Sequence, residues 1–111
     1  MPFDFSPTET KTNTVADVLR RAKALIDAPE KWLHRKGYGN WEQGIGPFCG
    51  IGALWVAGRG VGEPSLVAQK ILNEVVRPTH FSAFNDDPRT THADVMAAFD
   101  VAISLAESGQ P

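Results

Sequence analysis

Cysteine is all but missing from this chain of 111 residues, where Cys49 stands alone. One cysteine excludes an internal disulfide and, with it, the usual signature of an oxidising compartment. No charge sign dominates either. Eleven Lys and Arg against 13 Asp and Glu leave a formal charge of −2, so there is no basic field for nucleic acid or an anionic membrane. Long apolar runs are lacking too, none approaching the roughly 20 residues that span a bilayer. The start, Met1-Pro2-Phe3-Asp4, has neither the basic end nor the apolar core of a signal peptide. The cytoplasm is the expected compartment.

The spacings that build metal and cofactor sites are missing as well. His34, Cys49, His80, Asp86 and His92 are residues of ligand type, but no Cys-x-x-Cys and no His-x-x-x-His pair occurs among them. Neither metal nor cofactor is expected. Gly58-Arg59-Gly60-Val61-Gly62 has the look of a phosphate loop, yet it follows a helical pattern and lacks the Lys-Ser/Thr of that motif. It reads as a helix C-cap and a turn.

What is present is helical periodicity. A hydrophobic content of 42% supplies one core at this length, and the pattern predicts a mainly α, four-helix domain over residues 14–107. Polar tails at 1–13 and 108–111 flank it. The first helix is expected from Val15 to Ala28, capped by Thr14 with Asp17 three residues on, and stopped by Pro29. A second, apolar nearly all round and therefore central, should start at Pro47 or Phe48 and end at Ala57. A third runs from Pro64 or Ser65 to Val76. The last runs from His92 to Glu107, where Thr91 and Asp94 repeat the first cap. The segment 30–46, with Trp32, Tyr38 and Trp41, has room for one short β-hairpin and fits an irregular loop about as well.

Two stretches concentrate unusual residues. Gly44 to Trp55 holds Cys49 and four glycines, and Gly50 and Gly52 fall in the first turns of a predicted helix. Glycine there costs about 0.5–1 kcal/mol relative to Ala, which predicts close approach of another part of the chain. His80 to Pro88 is the expected other side of that contact. Cys49-x-x-Gly52-Ala53-Leu54 after a glycine-bearing turn, and Phe84-Asn85-Asp86 near Arg89-Thr90, resemble a small family of uncharacterised bacterial and phage proteins of about this length. The resemblance spans roughly Val15 to Ala106 and departs at Phe84, where that family often has Trp. It implies one compact domain, draws attention to these two stretches and implies no reaction.

Two functional classes follow from the residues. In the first, Cys49 near a helix N-terminus is a nucleophile, His80 its base, and Asn85 or Asp86 the group that orients the imidazole, as in a thiol hydrolase or transferase. No thiol-protease signature precedes Cys49, and a free cysteine on an apolar helix is usually a small buried hydrophobe. Asn85-Asp86-Asp87-Pro88 also reads more simply as Asx turns. The second class is an interaction module, and it is the favoured reading. Its contact residues are expected among Trp32, Tyr38, Trp41, Phe84, Asp86 and Asp87, because interfaces favour aromatic anchors. A protein partner is expected, and the sequence leaves self-association open.

Overall fold

The computed structural model describes residues 14–35 and 40–108, apart from the side chain of Trp41. The expected tail at 1–13, the end at 109–111 and Tyr38 lie outside the described residues. Among the described residues five α-helices follow one another: α1 Val15–Leu25, α2 Gly50–Ala57, α3 Glu63–Val75, α4 Phe81–Asp86 and α5 His92–Glu107. The sequence predicted four, and α4 is the addition.

Local chemistry sets the ends of the long helices. Thr14 Oγ1 accepts the Asp17 N–H at 3.2 Å to open α1. At α5 the same pair forms a complete capping box, with Thr91 Oγ1 accepting the Asp94 N–H and Asp94 accepting the Thr91 N–H. Each cap satisfies donors that a helix start otherwise leaves unpaired. α1 stops at Leu25, short of the expected Ala28. A 3-10 turn at Pro29–Lys31 takes over, because the residue before a proline is driven away from helical geometry.

α1 lies antiparallel to α5, as the ion pairs Arg20–Glu107 and Lys23–Asp100 show by their order along the two helices. These pairs are largely exposed and each contributes about 0–1 kcal/mol. The stronger glue is apolar. Val18, Leu19 and Ala22 of α1 meet Ala53 and Leu54 of α2, Leu72 of α3 and Phe99 of α5 in one buried cluster. α1 packs on α2, α3 and α5, while α4 packs on α2 and α3. Phe81 anchors α4 in the core, edge-on to Phe99 with ring centroids 5.5 Å apart, a geometry worth about 0.5–1.5 kcal/mol beyond the area buried.

The segment between α1 and α2 contains no strand among the described residues. Two isolated bridges stand where the hairpin had room: Asn40 with Ile45, antiparallel, and Trp32 with Phe48, parallel. In the second, Leu33 N–H donates to Phe48 O at 2.7 Å and Phe48 N–H donates to Lys31 O at 3.1 Å. That pairing holds Phe48 extended and delays α2 to Gly50, two to three residues past the Pro47 or Phe48 start expected from sequence. Cys49 becomes the N-cap.

Candidate functional site

The two stretches flagged by the sequence meet where α4 crosses the start of α2. Gly50 is where they touch. A Cβ built on it would fall 2.4 Å from Phe81 Cε2 and 3.3 Å from Asn85 Oδ1, so only glycine lets the ring and the amide come this close. The first turn of α2 is thereby fitted against one face of α4.

Asn85 organises the polar chemistry here. It is 1% exposed, and its side chain is fully used. Oδ1 accepts the Trp32 indole N–H at 2.7 Å and the Gly50 N–H at 2.9 Å. Nδ2 donates to Leu33 O at 3.1 Å and to Asp86 Oδ1 at 3.0 Å. Two lone pairs and two hydrogens are the whole capacity of an amide, and all four are spent within the chain. Asp86 Oδ1 also accepts the Arg35 N–H at 2.9 Å. Arg35 has φ 66°, a left-handed conformation costing an L-residue about 1–2 kcal/mol. The bond to Asp86 helps to hold it there.

Histidines and an aspartate complete the lining. His34 stacks on Trp32 with centroids 4.6 Å apart, and His92 lies tilted against it at 5.8 Å. His34 Nε2 donates to Asp87 O at 2.9 Å and His92 Nε2 to Ile26 O at 2.7 Å. A carbonyl only accepts, so Nε2 carries the hydrogen in both rings. The Asp87 carboxylate is held down to about 2 by hydrogen bonds from the Arg89 guanidinium and backbone N–H. The same guanidinium is itself pushed up by Asp87.

Cys49 is 3% exposed, and its Sγ accepts the Gly52 N–H at 3.2 Å. Burial pushes the thiol above its ordinary value of 9.0. The N–H groups of Gly52 and Ile51 pull the other way without offsetting it. Sulfur here does the work that a Ser or Asp oxygen does at other helix starts.

The profile of DUF6197, a family of unknown function, matches residues 10–105. The chain belongs to DUF6197. The match takes in every helix of the described residues up to the last turn of α5, and so the whole Asn85 cluster. No curated protein and no solved structure matches the chain. This DUF6197 chain is a small helical protein in which no helix among the described residues is long and apolar enough to cross a membrane.

The sequence-predicted residues are distributed as follows. Asn85, Asp86, Asp87 and Trp32 come together with Gly50, whose stretch was expected to meet His80 to Pro88, and are joined by Leu33, His34 and Arg35, which sequence reasoning did not single out as partners. Phe84 is half-buried, its ring 6.1 Å from Phe81. His80 sits one residue ahead of α4, exposed and facing a cleft; it makes no hydrogen bond with Cys49 among the described residues. Tyr38 and the Trp41 side chain lie outside the description. Among the described residues no group of three His, Cys, Asp or Glu could hold a metal. The expected Asx turns are reduced to one, where Asp87 Oδ1 accepts the Arg89 N–H at 2.8 Å, because Phe81 to Asp86 are helical.

Proposed function

We propose that the protein is a small cytoplasmic binding module, of bacterial or phage type, that docks on a protein partner and catalyses no turnover. The observation carrying this reading is the closed hydrogen bonding of Asn85. A reaction centre needs polar atoms free to meet substrate, whereas here the buried amide spends all of its capacity on Trp32, Leu33, Gly50 and Asp86. Such a cluster serves to hold Trp32 to Arg35 against the start of α2 and α4. Ile45, 57% exposed, stands on a turn closed by its bridge to Asn40, and Tyr38 and Trp41 belong to the same stretch of sequence. An exposed aliphatic residue in a stretch that also contains Tyr and Trp suits a docking surface.

The thiol-enzyme reading draws on one feature, the Gly52 N–H aimed at Cys49 Sγ, which favours a thiolate. Desolvation opposes it more strongly. The separating experiment is affinity capture from the native host with the wild-type chain, Ile45→Asp, Trp41→Ala, Cys49→Ala and His80→Ala. A binding module keeps its partner in Cys49→Ala and loses it in Ile45→Asp and Trp41→Ala. Loss of biological activity in both Cys49→Ala and His80→Ala, with folding intact, contradicts the proposal and supports the enzyme.

A further inference from the structure

Away from the Asn85 cluster, α2, α3 and the start of α4 border an open cleft. Its inner part, about 200 Å³, is lined by Ile51, Trp55, Gln69, Asn73, His80 and Ser82. An outer part of about 530 Å³ shares Asn73 and His80 and adds Lys70, Glu74 and Arg77, a size within the roughly 300–1,000 Å³ typical of small-ligand sites. The helical period explains the lining. Ile51 and Trp55 stand one turn apart on α2 and form an apolar wall, while Gln69 and Asn73 stand one turn apart on α3 and form a polar one.

Asn73 sets the sign of the polar wall. It takes the Phe81 N–H at 2.8 Å, and a backbone N–H can only donate, so the atom it faces is Oδ1. Both Nδ2 hydrogens are left for an occupant. The His80 ring, the Ser82 hydroxyl and the Lys70 ammonium have no hydrogen-bond or ion-pair partner among the described residues. Glu74, the acid in the lining, is engaged by Arg77 at 3.1 Å. The cleft thus offers donors and a positive charge beside an aromatic surface.

We infer that this cleft binds a small organic oxyanion, a carboxylate or phosphate monoester carried on a planar body. The planar body lies against Ile51 and Trp55, and the oxyanion meets Lys70, His80 and the Asn73 amide through charge-assisted bonds. The site shares no residue with the segment 32–48, so it stands or falls apart from the docking proposal.

The test is an NMR titration of the full chain, following backbone and side-chain N–H signals. Adenosine 5′-monophosphate and indole-3-acetate serve as phosphate and carboxylate probes, with adenosine and inorganic phosphate as their separate parts. At least one of the two probes should give saturable shifts at the Trp55 indole, Asn73 amide and Ser82 signals, and the one that does so identifies the oxyanion. Adenosine and inorganic phosphate should each bind about tenfold more weakly or worse than the monophosphate. Lys70→Glu combined with His80→Ala, both exposed side chains, should weaken the successful probe by a similar factor. The inference is overturned if neither probe gives saturable shifts at these groups, if the monophosphate binds and adenosine binds as well as it does, or if the double variant binds the successful probe as the wild type does.

Discussion

Removing the Asn85 side chain strips the partner from three groups of the chain at once: the Trp32 indole, the Gly50 N–H and Leu33 O. Each orphaned buried group costs about 1–3 kcal/mol, and relaxation toward water recovers part of that. Asn85→Ala should therefore lose about 2–4 kcal/mol in denaturant unfolding, and a change under about 0.5 kcal/mol contradicts the role given to it. Gly50→Ala drives a methyl into the fully buried Phe81 ring and should cost about 1–3 kcal/mol. Asp87 makes a pH prediction. Its folded pKa of about 2 lies below the ordinary 3.8, so its contribution is present above about pH 4 and fades as pH falls towards 2. In Arg89→Ala, an NMR titration should find the Asp87 pKa moved up towards 3.8. Cys49 works in the opposite sense. A raised folded pKa gives stability that is whole below 9.0 and declines as pH rises beyond it, so Cys49→Ala should show a shallower alkaline loss than wild type. The sequence paired the Gly50 and Asn85 stretches but did not point at Trp32 and Leu33 as the further partners of Asn85. Those two are 53 and 52 positions away along the chain, and local pattern carries no record of them.

At the scale of elements, legibility followed locality. α5 was readable end to end because its cap, Thr91 with Asp94, and its apolar period are both local. Thr91→Ala should cost about 1 kcal/mol, measurable as a lowered melting temperature, and an unchanged one contradicts the capping box. α4 was not readable. Six residues show less than two turns of period, and Asn85-Asp86-Asp87-Pro88 has the composition of a turn. Alone, so short a helix is marginal in water. It exists here because Phe81 is buried, Asn73 takes the first N–H and Asn85 locks the far end. The start of α2 was misplaced for a similar reason: Pro47 is a good first helical residue by local rules, but the backbone bonds of Phe48 to Lys31 and Leu33 override them.

For the whole molecule, the mainly α architecture followed from composition and period, whereas the entry into α2 depended on Phe48 pairing with Lys31 and Leu33, 15 or more residues away. The fold brings the Cys49 and Asn85 stretches together, and their polar atoms face one another. We propose that this cluster is internal scaffolding and not a reaction centre. The most direct test is the rate at which Cys49 reacts with an aromatic disulfide reagent at pH 7.5 in the folded chain, compared with the same chain unfolded in urea. Burial and a raised thiol pKa predict a folded rate slower by about a hundredfold or more. A folded rate equal to or faster than the unfolded one would show an accessible, activated thiolate, and would contradict the account.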